Sequence, residues 1–103
     1  MKREIFRILL EIPKGKVVTY ADIARAAGTS PRAAGQILKR NPCPDKYPCY
    51  RVVMSSGKVG GYLGNDARKK ESLLREEGIE IRKGKIDLSR FGFVMKKKLK
   101  NHS

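Results

Sequence analysis

Cys49 is the residue of this sequence best suited to covalent chemistry. It follows a proline-rich segment, residues 41–48, which holds three prolines in eight positions, and it precedes the apolar residues Val52 and Val53. A stiff loop that leads into a strand can hold a side chain rigidly. Nucleophilic cysteines need a nearby positive charge, helix N-terminus or base, and Arg51 supplies a charge. Two interpretations stay open: a nucleophile, or a small buried apolar side chain.

The counts of cysteine and histidine exclude several other kinds of site. Two cysteines, Cys43 and Cys49, are too few for a disulfide-stapled fold. The one histidine, His102, stands near the end of the chain, so zinc sites built from Cys and His lack ligands. A bridge between the two cysteines would block the nucleophile, and we expect Cys43 to be a buried spacer. We predict no metal and no cofactor.

The chain is strongly basic, which favours a polyanionic partner. Its 103 residues hold 24 Lys and Arg against 10 Asp and Glu, a formal net charge of +14. Half of this excess lies in residues 82–103, which carry eight basic residues and one Asp. A lysine-rich tail alone is typical of a solubility device, whereas a basic body with a basic tail favours nucleic acid over an anionic membrane. The sequence starts without a secretory signal, and we expect a monomeric, cytoplasmic, nucleoid-associated protein.

Three predicted helices occupy the first part of the chain. Apolar residues spaced for one helical face predict a helix over residues 2–12. Helices over residues 20–27 and 31–40 follow, separated by a glycine-containing turn. This arrangement is typical of a helix-turn-helix, although helical hairpins of no functional meaning share the pattern. The boundaries rest on capping residue types, namely Thr19 and Asp22 as a capping box, Gly28 as a C-terminal stop, and Ser30 with Pro31 at the next start.

The segment after Cys49 alternates short strands, turns and one further helix. Residues 51–54 are predicted to form a strand that returns at Val59. A helix over residues 66–77 follows, with a glycine at its end. Apolar residues then alternate over residues 79–88, as in a small hairpin. These elements supply the scaffold that must hold Cys49 in place.

The predicted elements define one small domain. No linker or internal repeat interrupts the chain, and its length fits a single domain of about 100–150 residues. The fold class is mainly α with small β elements, a helix-turn-helix, winged-helix-like three-helix DNA-binding domain. We assign residues 1–90 to this domain and residues 91–103 to a basic C-terminal tail.

The sequence around Cys49 resembles the active-site motif of O6-alkylguanine-DNA alkyltransferases. Residues 48–53 are Pro-Cys-Tyr-Arg-Val-Val, against Pro-Cys-His-Arg-Val in that family. The resemblance covers about residues 4–85 and concerns the family's carboxy-terminal, catalytic and DNA-binding domain. Further matching segments stand in the family's order, namely residues 16–20, 32–35, 41–42 and 60–62, then Leu73 and Leu74 with Glu77 and Gly78.

The resemblance implies direct repair of double-stranded DNA. Cys49 would accept the alkyl group from O6 of an alkylated guanine in one irreversible turnover, without a cofactor. Arg32 would enter the duplex in place of the extruded base, since a planar guanidinium can stack and hydrogen-bond there. Ala33, Ala34 and Gly35 would let their helix approach the minor groove closely. The alternative is that these small residues merely pack against the first helix.

Further site residues follow from the same resemblance. Tyr20 would contact DNA, rotate the 3′ phosphate outward and lend a phenolic proton to the flipped guanine. Asn41 would brace the active-site turn by side-chain hydrogen bonds. Arg51 is grouped with the DNA-binding residues. The guanine pocket would be lined by Tyr62, Leu63, Lys70 and Val52.

Tyr50 departs from the family pattern. In the family, a glutamate, a histidine and a water remove the cysteine proton; here Glu77 is retained, but Tyr50 replaces the histidine. A phenol with a pKa of about 10 is a poorer base at neutral pH than an imidazole at about 6.5. We therefore expect Cys49 to ionise less readily than in relatives with the histidine, with Tyr50 orienting Glu77 and a water. The substitution Tyr50→His should speed alkyl transfer.

Three functions compete for this sequence. We favour a methylated-DNA–protein-cysteine methyltransferase that acts on double-stranded DNA containing O6-alkylguanine. The alternative is a non-catalytic alkyltransferase-like protein, which binds such DNA and flags it for other repair proteins. Those proteins lack the cysteine that this chain keeps at position 49. A helix-turn-helix transcription regulator would explain the charge and the helices but not Cys49 or Glu77.

Overall fold

The chain is mainly helical with one pair of short strands in the residues that its computed structural model describes, 2–43, 46–60 and 67–94. None of the helices in these ranges is long and apolar enough to cross a membrane. The third and fourth α-helices end within one residue of their predicted limits. In chain order the elements are α1 (Lys2–Leu9), β1 (Val18–Thr19), α2 (Tyr20–Ala27), α3 (Pro31–Lys39), a 3₁₀ helix (Cys49–Arg51), β2 (Val52–Val53), α4 (Ala67–Glu76) and α5 (Leu88–Phe91).

Helices α2 and α3 form the predicted helix-turn-helix, and their capping residues act as expected. The Thr19 hydroxyl accepts a hydrogen bond from the Asp22 amide at 3.1 Å, and the Asp22 carboxylate accepts one from the Thr19 amide at 3.0 Å. Gly28 ends α2 in the left-handed conformation, with φ of 73°. The Ser30 hydroxyl caps α3 by accepting from the Ala33 amide at 3.1 Å. Each such cap stabilises its helix by about 1 kcal/mol, so the turn is fixed at both ends.

Helix α1 is shorter than predicted. It spans Lys2–Leu9 rather than residues 2–12, and the chain continues in a tighter turn, in which the Ile12 amide bonds to the Leu9 carbonyl at 3.2 Å. Pro13 contributes to the difference, because it has no amide N–H to donate to the Leu9 carbonyl and it disfavours the α conformation in Ile12. Ile12 still reaches the core, where it is buried.

The two strands pair differently from the prediction. β1 and β2 run parallel, with Val18 opposite Val52 and Thr19 opposite Val53, whereas the sequence predicts a hairpin with Val59. Both residues of β2 are buried, and parallel strands are usually covered on both faces. The chain does reverse direction at residues 55–58, where the Met54 amide donates to the Lys58 carbonyl at 2.9 Å. The predicted pairing was wrong because β2 pairs with a strand more than thirty residues away, which local alternation cannot reveal.

Two apolar cores lie on either side of this strand pair. Val18 and Val52 belong to a core shared with α1, α2 and α3. Val17 and Val53 belong to a second core, which includes residues from α4 and from the segment after it. This division follows from the alternation of side chains along a strand. The strands thereby join the helix-turn-helix to the second half of the fold.

The packed body extends beyond the predicted domain boundary. The Val17 amide donates to the Phe91 carbonyl at 2.9 Å, and the Phe93 amide donates to the Val17 carbonyl at 2.8 Å. Helix α5, which the sequence-based prediction lacks, starts after its N-cap residue Asp87. Both features depend on a short segment, residues 87–93, whose partner Val17 is distant in sequence. The rest of the predicted tail, residues 95–103, lies outside the described residues.

Candidate active site

Cys49 opens the 3₁₀ helix and is buried, with 6% of its surface exposed. It belongs to the first core, whereas the next residue, Tyr50, packs against the second. Burial raises the pKa of the Cys49 thiol, while a hydrogen bond with Asn41 and the charge of Lys70 oppose that rise. Cys49 is therefore buried as a core residue would be, and Asn41 and Lys70 offset only part of the rise in its pKa.

Asn41 closes the proline-rich loop that precedes Cys49. Its side-chain amide donates to the Tyr47 carbonyl at 2.8 Å, and its side-chain oxygen accepts from the Cys43 amide at 2.9 Å. The Cys49 amide donates to the same Tyr47 carbonyl at 2.7 Å. One carbonyl thus ties Asn41 to Cys49. The Cys43 side chain is exposed, which corrects the expectation of a buried spacer, because only its backbone is held in the loop.

Lys70 is the cation whose charge lowers the pKa of Cys49 against the effect of burial. It lies on α4 with 1% of its surface exposed, and its Nζ is 3.5 Å from the Tyr20 hydroxyl and 5.5 Å from the centre of the Tyr20 ring. Burial lowers the pKa of Lys70 to about 8, and the Cys49 charge opposes this. The pKa of Tyr20 is raised, first by burial and then by the charge of Cys49. Cys49, Lys70, Tyr20 and Asn41 form one cluster, hereafter the thiol cluster.

A second polar cluster, the glutamate clamp, lies around Glu77. Its carboxylate accepts from the Arg51 Nη2 at 2.7 Å and from the Gly15 amide at 3.0 Å, and the Tyr50 hydroxyl donates to it. Arg51 also donates from Nη1 to the Ile12 carbonyl at 2.9 Å. The side chains of Arg51 and Glu77 are 14% and 6% exposed. The clamp therefore ties the 3₁₀ helix to the end of α4 and to the loop after α1.

The clamp changes the predicted roles of Arg51. Its guanidinium is held by Glu77 and Ile12 inside the protein, so it neither supplies the charge for Cys49 nor forms part of an exposed DNA-binding surface. Lys70 supplies that charge instead. The sequence-based prediction also missed Gly15, which donates to Glu77. Its position two residues after a proline signals a turn but not a long-range contact.

The protonation states of the clamp are fixed at neutral pH. The pKa of Glu77 is lowered: burial would raise it, but the hydrogen bonds from Arg51, Tyr50 and the Gly15 amide outweigh that effect. Burial and the hydrogen bond to Glu77 raise the pKa of Tyr50 to about 12. A carboxylate that is already paired and a phenol that stays protonated are both poor proton acceptors. The clamp is thus suited to hold the turn rather than to remove a proton.

Helix α3 presents a mixed face next to the thiol cluster. Arg32 is exposed in its first turn, and Ala33 and Gly35 are half-buried. Ala34 is fully buried, at 0% exposure in the first core, so packing rather than groove contact explains that small residue. A Cβ added to Gly35 would lie 3.9 Å from the Tyr20 ring. Gly35 therefore places α3 close to Tyr20.

Of the predicted pocket residues, Val52 has a different role in the structure. Val52 is fully buried in the first core and pairs with β1, so its side chain is a core residue. Tyr62 and Leu63 lie outside the described residues. Lys70, the fourth predicted pocket residue, belongs to the thiol cluster. Across residues 2–43, 46–60 and 67–94, no group of three or more His, Cys, Asp or Glu could hold a metal.

The fold and the site together define a class of protein. A helix-turn-helix with an exposed arginine is a common nucleic-acid-binding arrangement. Here that arrangement adjoins a buried thiol with a lysine and a phenol beside it. A thiolate stabilised by a cation can attack an electrophilic carbon. The class is therefore a DNA-binding domain that carries a candidate nucleophile.

Sequence comparison assigns the family. The family described as "6-O-methylguanine DNA methyltransferase, DNA binding domain" matches residues 1–79, so this chain belongs to that family. It is 46% identical over 92 residues to a "Bifunctional methyltransferase/endonuclease" of Picrophilus torridus, covering 86% of this chain and 30% of the relative. It is 41% identical over 80 residues to a "Methylated-DNA--protein-cysteine methyltransferase" of Methanothermobacter thermautotrophicus, covering 78% and 45%. The chain spans less than half the length of these two relatives.

Solved structures of the same family share the fold. Atl1 of S. pombe, solved in complex with damaged DNA containing O6-carboxymethylguanine, superposes with a TM-score of 0.83 at 28% identity, covering 91% of this chain and 94% of that chain. The O6-methylguanine-DNA methyltransferase of Pyrococcus kodakaraensis gives a TM-score of 0.69 at 40% identity, covering 76% and 46%. Mycobacterium tuberculosis OGT in complex with DNA also gives 0.69, at 36% identity, covering 74% and 48%. The predicted fold class is confirmed.

Proposed function

We propose that this chain repairs O6-alkylguanine in double-stranded DNA by moving the alkyl group to Cys49. The single observation that carries this proposal is the thiol cluster, in which a buried cysteine has Lys70 as its cation, close to Tyr20. The Cys49 sulfur forms a bond to the alkyl carbon, the bond from that carbon to guanine O6 breaks, and its electron pair stays on the guanine. The thioether product is too stable to reverse, so each molecule acts once.

Lys70 is the proposed acceptor of the Cys49 proton. With a pKa of about 8, a minority of Lys70 is neutral at pH 7 and can take the proton. The resulting ammonium then stabilises the thiolate that attacks the alkyl carbon. This assignment replaces the predicted relay, because Tyr50 and Glu77 are both engaged in the glutamate clamp. Their proposed role is to position the 3₁₀ helix that carries Cys49.

Tyr20 is the proposed donor to the departing guanine. Its hydroxyl can give a proton to the flipped base as negative charge develops there. The Lys70 ammonium, 3.5 Å from the Tyr20 oxygen, can then return a proton to the phenolate. The balance is complete: one proton moves from the Cys49 sulfur to guanine, and one alkyl group moves in the opposite direction.

Arg32 is the proposed residue that occupies the gap left by the flipped base. It is exposed at the start of α3, and Gly35 on the same helix lies against the Tyr20 ring. Insertion there offsets part of the cost of unstacking a base, which is a few kcal/mol. Ala33 is small enough for α3 to approach the duplex closely.

The test is transfer of a methyl group from duplex DNA that contains O6-methylguanine. After incubation and digestion, the peptide that contains Cys49 should carry the methyl group, and the Cys49→Ser variant should carry none. The Cys43→Ser variant is the matched control, since Cys43 is exposed and lies outside the thiol cluster. Methyl on another residue, or methyl in both serine variants, would contradict the proposal.

The second candidate is a non-catalytic binder that flags O6-alkylguanine for other repair proteins. Two observations favour it: the extent of the fold match to Atl1, which covers 94% of that chain, and the raised pKa of the Cys49 thiol. Tight binding to the damaged duplex without methyl transfer would establish this function. Equal affinity for damaged and undamaged duplexes, with no transfer, would contradict both candidates.

A further inference from the structure

A tight hairpin follows α4 and carries lysines at its tip. Arg82 and Lys85 exchange both backbone hydrogen bonds at 2.9 Å, which confirms the turn predicted in this segment. The two central residues, Lys83 and Gly84, have φ of 51° and 74°, both positive as in a type I′ turn. Asparagine is strongly preferred at the first central position, because other side chains are strained there. The chain therefore holds a lysine where the backbone favours a different residue.

A second loop supports the hairpin from one side. Lys58 forms an antiparallel bridge with Lys85, the Val59 amide donates to the Gly84 carbonyl at 2.9 Å, and the Ile86 amide donates to the Gly57 carbonyl at 2.8 Å. A Cβ on Gly57 would lie 2.7 Å from the Ile86 carbonyl oxygen, so only glycine permits this approach. The two loops form one supported surface.

Three lysines of this surface have no carboxylate partner in the part of the chain that the structure describes. Lys58, Lys83 and Lys85 are exposed, and no ion pair joins them to an acidic residue within the described ranges. We name these three residues the basic hairpin. The nearby acidic side chains are engaged elsewhere: Glu80 pairs with Arg82 and Arg90, and Asp87 caps α5 through Ser89.

The basic hairpin combines two unfavourable features. Lys83 takes a strained backbone conformation, and like charges are brought together on bridged strands, where they repel. Such costs are typical of functional positions rather than of inert surface. A ligand with closely spaced negative charges, such as a DNA backbone, would remove the repulsion and release counterions.

We propose that the basic hairpin is a second DNA contact, which binds backbone phosphates of the duplex while α3 contacts the lesion. It reads no sequence, because lysine contacts to phosphate position a protein without specifying bases. The proposal rests on the proposed binding of double-stranded DNA, but not on transfer to Cys49. It assigns part of the basic charge to a defined place on the molecule.

The first test measures the salt dependence of binding to an undamaged duplex. The Lys83→Gln, Lys85→Gln double variant should reduce the slope of log affinity against log salt by about 0.9 for each lost contact. When salt is raised from 50 to 200 mM, the DNA affinity of the parent should therefore fall by about a further threefold for each contact that the variant lacks. The control double variant, Arg7→Gln with Lys14→Gln, removes the same charge from exposed residues near α1. An equal change in both doubles would show a bulk charge effect and overturn the proposal.

The second test separates binding from folding. Lys83→Asn places the preferred residue in the type I′ turn, so the melting temperature should rise while the salt slope falls by about 0.9. An unchanged slope would overturn the proposal, whatever the melting temperature. Methyl transfer at saturating lesion DNA is measured in parallel. If the parent transfers methyl normally and Lys83→Asn leaves the salt slope unchanged, only the DNA contact of the basic hairpin is rejected. If Lys83→Asn reduces the salt slope but the parent transfers no methyl, only the proposed reaction is rejected.

Discussion

Lys70 is the single residue whose placement is hardest to explain by stability alone. A lysine at 1% exposure with its pKa lowered to about 8 destabilises the folded state at neutral pH. An apolar side chain of similar length would fill the same space without that cost. An amine whose charge acts on a buried thiol is suited to be a proton acceptor, and this role gives two predictions at the scale of the residue.

The first prediction concerns stability. Lys70→Met should raise the free energy of unfolding at pH 7 by about 1–3 kcal/mol, because a buried charge is replaced by an apolar group. In the parent, the unfolded chain binds more protons than the folded one between about pH 8 and about pH 10, so stability increases over that range. Chemical denaturation of both proteins across this range should show that increase in the parent alone. A less stable variant would contradict the argument.

The second prediction concerns the rate of transfer. With Lys70 as proton acceptor, the single-turnover rate should rise with pH and reach half its maximum at about pH 8. Tyr50→Phe should keep this midpoint, since Tyr50 is not the acceptor. Lys70→Arg should be slow at every pH, because arginine keeps the charge but cannot take a proton. The assignment of Lys70 as proton acceptor would be contradicted if the midpoint of the pH–rate profile moved in Tyr50→Phe but stayed at about pH 8 in Lys70→Arg.

At the scale of the element, the glutamate clamp determines where the 3₁₀ helix sits. Arg51 and Glu77 are 26 residues apart, and the Gly15 amide approaches from a third segment. Three parts of the chain therefore meet at one carboxylate. Removing one partner of such a buried pair leaves an uncompensated charge, which is costly.

Glu77→Gln tests the clamp. It should lower the free energy of unfolding at pH 7 by about 3 kcal/mol, and Glu71→Gln, in an exposed pair with Arg75, should change it by less than about 1 kcal/mol. Because the folded-state pKa of Glu77 is lowered, its contribution is present above the unfolded pKa of about 4.3 and is lost as pH falls through the folded value. Thermal unfolding of the parent and of both variants, from neutral to acid pH, measures this loss of stability. Equal effects of the two substitutions would contradict the clamp.

Elements with local signals could be predicted, and those with distant partners could not. The Thr19–Asp22 capping box spans four residues, so the sequence contains all of it. The partner of β2 and the contact of Val17 with Phe91 depend on segments far apart in the chain. A short apolar run has no feature that specifies such a partner.

The candidate site divides in the same way. Cys49 stands out from its residue type and its proline-rich surroundings, Asn41, Tyr20 and Lys70 follow only from the family resemblance, and the structure brings the four together. The pairing of Arg51 with Glu77 could not be predicted. Arg51 is two positions from Cys49 in the sequence, yet its side chain is held by Glu77. Position in the sequence does not show which of two neighbouring side chains faces the thiol.

At the scale of the whole molecule, exposed cations lie on both halves of the fold. Arg32 lies on α3 in the first half, and the basic hairpin lies in the second half, after α4. The strand pair joins the two halves. Under the two proposals, Arg32 opens the duplex at the lesion and the hairpin holds the backbone.

Arg32→Ala tests this division of labour. It should slow methyl transfer from a paired O6-methylguanine by more than about tenfold, because nothing then offsets the unstacking cost of a few kcal/mol. The loss should shrink when the lesion lies opposite an abasic site, where the lesion has no pairing partner and is extruded at lower cost. Lys39→Ala on the same helix is the control and should alter only the salt dependence. Equal losses on both substrates would contradict a role in base flipping.

The most direct test of the central claim is the intact mass of the protein after one incubation with excess O6-methylguanine duplex. We predict one methyl group per molecule, located on the Cys49 peptide, and an unmodified Cys49→Ala variant that still binds the duplex. A parent protein that binds the damaged duplex tightly yet keeps its original mass would contradict the claim that this chain is an alkyltransferase.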